Sequence, residues 1–164
     1  MALTILIRGH MSSVSVLSDT GFTKANNGVN TNTTLSVNTP LGVLGGSVAG
    51  ISAGADYTVY PCSSTIMPVG LFVNDAAGAA FENSPAVASG KVAVCKGQPS
   101  VEVDVYETRN AADSADLTYA VGEELYSSAQ GLLTNEVSTD QTIVGVITKN
   151  TSTASPTIGL DMRI

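Results

Sequence analysis

Residues 101–106 read V-E-V-D-V-Y, with Val101, Val103 and Val105 alternating against Glu102, Asp104 and Tyr106. A period of two sends successive side chains to opposite faces, the signature of a strand with one face buried. The rhythm returns at residues 157–164 (T-I-G-L-D-M-R-I), where Ile158, Leu160, Met162 and Ile164 fall on one face and Thr157, Gly159, Asp161 and Arg163 on the other. Residues 143–147 (I-V-G-V-I) are apolar on both faces, which predicts a central strand. Residues 66–73 (I-M-P-V-G-L-F-V) are similar, but Pro68 has no amide to donate and predicts a bulge or a sheet edge. From Leu117 to Thr134 the pattern predicts strand, a turn at Gly122, a strand at 124–126, an S-S-A-Q-G loop and a further strand. Gly131 would supply the positive φ that closes that hairpin. Helical signals are limited to one turn over 110–117, capped by Asn110 or Asp113, and one over 74–81 weakened by Gly78. The expectation is an all-β fold, a small barrel or compressed sandwich with long loops.

The N-terminal third reads differently. Its first 55 residues carry only Arg8, Asp19 and Lys24 as charges, and Asn27-Gly28 is a turn signal. Residues 41–54 (L-G-V-L-G-G-S-V-A-G-I-S-A-G) hold too many glycines for a good helix and side chains too small for a conventional strand core. Such a segment packs flat, because glycine lets two backbones approach closely. The expected organisation is an extended Gly/Asn/Thr-rich arm at 1–55 and a β-rich body at 56–164. Deleting the arm would then leave the body folded and weaken assembly.

Composition narrows the function classes. The 164 residues suit one domain, and charged residues are 13% of them, against about a quarter in ordinary domains. Hydrophobic residues are 43% but aromatics only 5%, with no tryptophan, and mean hydropathy is +0.23. These values exclude a coiled coil, a basic nucleic-acid binder and a disordered polyelectrolyte. The net charge is −7, and the seven basic residues are scattered singly, so neither nucleic acid nor a membrane is an expected partner. The opening M-A-L-T-I-L-I has no basic residue before it and is too short to span a bilayer, so a soluble, non-secreted protein is expected. Cys62 and Cys95 belong to no C-x-x-C pair. They suit thiols filling apolar gaps, with a disulfide, within the chain or between subunits, as the alternative.

Each candidate chemistry lacks a part. The one histidine, His10, has no carboxylate near it in sequence to complete a Ser/His/Asp set. A glycosidase needs two facing carboxylates. The densest acidic pairs are Glu102/Asp104, on the polar side of a strand where charge blunts edge pairing, and Glu123/Glu124, at a turn. Asp113 with Asp116, or Asn74 with Asp75, would be a meagre metal set, and no D-x-D-x-D-G spacing occurs. Gly42, Gly45, Gly46 and Gly50 do not spell G-x-G-x-x-G, and no G-K-[ST] follows them. The N-x-[ST] matches at Asn32 and Asn150 carry no weight without a secretory route. No catalytic residue, metal or cofactor is expected.

The C-terminal run L-T-Y-A-V-G-E-E-L-Y-S-S-A-Q-G-L-L-T (117–134), then I-V-G-V-I-T-K (143–149) and T-I-G-L-D-M-R-I (157–164), resembles the small β-rich head decoration or cement proteins of tailed bacteriophages. In these a "glycine, acid, apolar, Tyr" strand leads to a glycine hairpin, a G-V strand and an alternating last strand. The resemblance covers about the last 50 residues and leaves 1–55 unmatched. It implies a non-enzymatic virion protein on the outer capsid surface. Such a protein binds across neighbouring major capsid subunits, often as a homo-oligomer (dimer or trimer). Two other expectations stay open: a tail-tube or tail-completion subunit, and a carbohydrate-binding or adhesin-like β module. The latter would use tyrosines, namely Tyr57, Tyr60, Tyr106, Tyr119 and Tyr126, since tryptophan is absent.

Overall fold

The computed structural model describes residues 3–5, 10–15, 45–51, 59–62, 66–73, 91–110, 112, 114–137, 141–151 and 156–164. Among these residues there are strands and no helix, as the two-residue rhythm predicts. In chain order the strands are β1 (Leu3–Ile5), β2 (His10–Ser15), β3 (Val48–Ile51), β4 (Tyr60–Pro61), β5 (Met67–Phe72), β6 (Lys91–Lys96), β7 (Ser100–Val103), β8 (Glu124–Ser127), β9 (Leu133–Thr134), β10 (Gly145–Lys149) and β11 (Ile158–Met162). They form two antiparallel sheets, ordered β1-β7-β11-β10-β8-β9 and β2-β6-β5-β3-β4.

Side-chain alternation decides the facing of the larger sheet. Val101, Val103 and Val105 are fully buried while Glu102 and Asp104 are half-buried. Ile158, Leu160 and Met162 are buried and Asp161 is exposed. The doubly apolar β10 lies between β11 and β8, the interior place its sequence predicts. In the smaller sheet, Pro68 marks a bulge rather than an edge. Ala49 faces Gly70 and Gly50 faces Pro68, so Val69 has no opposite number, while β5 stays between β6 and β3.

The larger sheet curls into a half-barrel. Tyr106, just beyond β7, bridges in parallel to Leu133 of β9, and the Glu107 N–H donates to the Leu133 carbonyl at 2.9 Å. Since β7 is second in the sheet order and β9 is last, the chain leaving one side of the sheet seals its other side.

One core serves both sheets. Val48, Leu71 and Cys95 from the smaller sheet pack in the same cluster as Val101, Val103, Leu125, Leu133, Ile147, Ile158 and Leu160. A backbone bond ties the layers as well, from Val48 N–H to the Gly131 carbonyl at 2.8 Å. The division into an arm at 1–55 and a body at 56–164 therefore does not describe the molecule. β1 pairs with β7, β2 pairs with β6, and Val48 and Ala49 have no exposed surface. The glycines drew the boundary wrongly because they serve close approach within a sheet. A Cβ on Gly50 would lie 2.5 Å from Ile66 Cγ2, and one on Gly70 would lie 2.3 Å from the Cys95 carbonyl oxygen. Residues 16–44 lie outside the described residues.

Two local expectations also change. Residues 117–120 are not a strand, and the helical turn expected over 110–117 is limited to one hydrogen-bonded turn from Asn110 to Ser114, capped by Asn110. Asn110 spends its polar groups on a closed loop. Its Oδ1 accepts from Ala112 N–H (2.7 Å), its carbonyl from Ser114 N–H (3.0 Å), and its N–H donates to Ala115 (2.8 Å). The first two are the bonds of an N-capped helical turn, and the third closes the segment so that the turn goes no further. Arg109 and Asp116 bridge the base of the loop, and Ser114 adopts φ 61°. The possible turn at 74–81 lies outside the described residues.

Candidate functional site

The acidic pairs singled out in the sequence take structural positions. Glu102 Oε2 accepts from Lys149 Nζ at 2.9 Å and from Thr157 Oγ1 at 3.0 Å. The geometry follows from a missing side chain. In register, Gly159 of β11 stands between Glu102 of β7 and Lys149 of β10. A Cβ on Gly159 would lie 2.8 Å from Lys149 Cβ, so only glycine leaves the lysine room to cross the middle strand. Hydrogen bonding to Lys149 and then to Thr157, against a smaller opposing effect of burial, lowers the Glu102 pKa. β7 is interior to its sheet, so Glu102 does not guard an edge as its sequence position suggests. Asp104, its neighbour in the pair, keeps one carboxylate oxygen buried with no hydrogen-bond partner among the described residues.

Glu123 braces a turn. Its Oε2 accepts from Ala120 N–H (2.9 Å) and from Asn135 Nδ2 (3.0 Å), around Gly122 at φ 94°. Glu124 accepts from the Tyr126 hydroxyl at 2.7 Å. Asp116 is exposed and lies 3.6 Å from Arg109 Nε. Asp113, Asn74, Asp75 and Tyr57 lie outside the described residues, and no metal-holding group of His, Cys, Asp and Glu occurs among the described ones. His10 stands opposite Lys96 in the β2–β6 register. Cys62 and Cys95 are buried and are not joined in a disulfide. Cys62 Sγ donates to the Ile66 carbonyl at 3.0 Å, and burial raises the Cys95 pKa. Tyr106, Tyr119 and Tyr126 are buried and offer no platform for a sugar ring.

The most unusual polar cluster includes a residue the sequence reading passed over. Glu107 is 3% exposed at the seam where the chain beyond β7 meets β9. Ser128 and Thr134 hydrogen-bond its carboxyl group, and Tyr119 donates its hydroxyl hydrogen to the Glu107 carbonyl. Tyr119 in turn packs edge-on against Tyr106, with ring centroids 5.3 Å apart and planes at 77°, and Tyr106 donates to the Pro156 carbonyl at 2.8 Å. Burial is the main cause raising the Glu107 pKa, with the charge of Glu136 adding to it and the two hydroxyls opposing. Burial, then the nearby Glu107 charge, also raises the Tyr119 pKa. The signal was present in the sequence. The parity that buries Val101, Val103 and Val105 continues to position 107.

No known family, curated protein or solved structure matches the chain. The Glu107 cluster is an acid enclosed by hydroxyls within a sheet seam.

Proposed function

We propose that this chain is a structural protein of a virion, binding across major capsid subunits on the outer head surface and stabilising the shell. One observation carries the reading. The stretches on which the resemblance rests form one contiguous antiparallel unit, β11-β10-β8-β9, which supports the reading. β8 with its G-E-E-L-Y run leads through the Gly131 hairpin to β9, then to the G-V strand β10 and the alternating β11. Glu102 bonds across its sheet, Glu123 braces a turn and Glu124 accepts from Tyr126 in its own strand, which suits a protein that works through shape and contact area. A net charge of −7 favours the outside of a shell over a wall facing packaged DNA. Many copies, each with a modest interface, would gain strength through multivalent engagement, most readily as a dimer or trimer.

The deciding experiment compares purified particles with and without the protein for DNA release on heating. The expected result is protein on the outer surface of intact particles and release at lower temperature when it is missing. Its absence from particles, or unchanged release, overturns the proposal. Rings or tubes formed by the purified protein would instead favour the tail-tube alternative.

A further inference from the structure

We infer that Glu107 is a proton-operated latch on the seam of the half-barrel, holding the seam closed while it carries its proton and loosening it when the proton leaves. This stands independently of the capsid reading, because it rests only on a carboxyl buried at the seam and the groups around it.

Thr134 has one hydroxyl hydrogen and two neighbours that ask for it, the Glu107 carboxyl and the Tyr119 hydroxyl oxygen. Its oxygen already accepts from Glu136 N–H at 3.1 Å, leaving one further lone pair. The Tyr119 hydrogen is committed to the Glu107 carbonyl. With Glu107 ionised, the Thr134 hydrogen is drawn to the carboxylate and the buried Tyr119 oxygen loses its donor. With Glu107 protonated, its own O–H enters the free lone pair of Thr134, and the Thr134 hydrogen turns to Tyr119. Ser128 completes the set. Its oxygen accepts from Gln130 N–H and Leu132 N–H, each at 3.2 Å, so its hydrogen is available to the second carboxyl oxygen. The two hydroxyls can bond the carboxyl in either form and ease its ionisation, but the protonated form alone avoids placing a charge where the side chain is 3% exposed, which is the costlier case.

The charges at the seam act against ionisation, as burial does. The titratable groups acting on Glu107 are Glu136, from the segment after β9, and Tyr119, from the segment before β8; no lysine or arginine among the described residues is paired with it. A like charge and desolvation both disfavour ionisation. Glu107 and Leu133 share the backbone bond that closes the seam, so the strain of ionisation falls on that closure. A carboxyl whose pKa is raised on folding stabilises fully below the ordinary glutamate value. That stability is lost as pH rises through the folded-state value.

The test uses the whole protein, labelled with carbon-13 at glutamate side chains and titrated by NMR between about pH 4 and pH 8, around the ordinary value of about 4.3. Glu107 is expected to titrate above that value and above Glu102. Across the same range its amide should lose about tenfold in exchange protection, relative to the Ile147 amide, for each unit by which its folded-state value is raised. Glu107→Gln keeps a donor and an acceptor without the charge, so its melting temperature should no longer fall over that interval. A Glu107 midpoint at or below the ordinary value overturns the inference, as does a variant that keeps the wild-type pH slope. Should the variant fail to fold, the titration and exchange of the wild-type chain decide alone.

Discussion

The two sheets use the same materials in different places. In the larger, Val101, Val103, Ile158 and Leu160 fill the core from alternating positions, while Gly145 and Gly159 let interior strands approach closely. In the smaller, the close approach falls at Gly50 and Gly70, within or facing a glycine-rich strand. Val48 and Ala49 are buried beside them. An alternating strand announces its facing in the sequence. A glycine-rich strand conceals it, because the residues that permit close approach are also those of flexible linkers.

The sharpest way to break this comparison is to remove residues 1–55. That deletion takes away β1, β2 and β3, including Val48 from the shared core, and should abolish the cooperative unfolding transition in urea. A truncated chain that still unfolds cooperatively would restore the idea of a detachable arm. Next in size is Val103→Asp, which places an unpaired charge at a position with no exposed surface. The expected loss is about 4 kcal/mol in a denaturant titration.

Two glycines separate backbone strain from backbone contact. Gly122 has φ 94° and nothing near an added Cβ, so Gly122→Ala should cost about 1 kcal/mol. Gly131 has φ 76°, and its Cβ would lie 2.7 Å from the Cys62 carbonyl oxygen, so Gly131→Ala should cost about 3 kcal/mol. Equal costs would mean the layers do not meet at Gly131.

The smallest effect belongs to the outer face. Glu102→Ala should move the neutral-pH melting temperature little, since the Lys149 pair is partly exposed. Its signature is at acid pH. The lowered Glu102 pKa gives stability that is present above the ordinary glutamate value and lost as pH falls through the folded-state value. Lys149→Met should flatten that acid limb in melts between about pH 3 and pH 6.

Much of the larger sheet was legible. The facings of β7 and β11, the interior place of β10, the turn at Gly122 and the Gly131 hairpin all follow from parity and turn chemistry. What escaped depends on contacts distant in the chain. Nothing near residues 41–54 shows that Leu71 and Cys62 await Val48 in a shared core. Nor does the run from 110 to 117 reveal that the turn capped by Asn110 will close on itself at Ala115 instead of extending. Glu107 is the instructive case at the candidate site. Parity placed it inside, yet a glutamate at the end of a valine run reads as the start of a loop.

The sheet order also sets a sequence in time. β8 and β9 are hairpin neighbours, and β10 and β11 follow directly, so this quarter of the molecule closes only short loops. Leu3, by contrast, meets Val103 a hundred positions further along. Because entropy rises with the length of chain that must be closed, the β8–β11 unit should assemble early and the docking of β1 should come last, making this a slow folder whose first strand arrives after its final one.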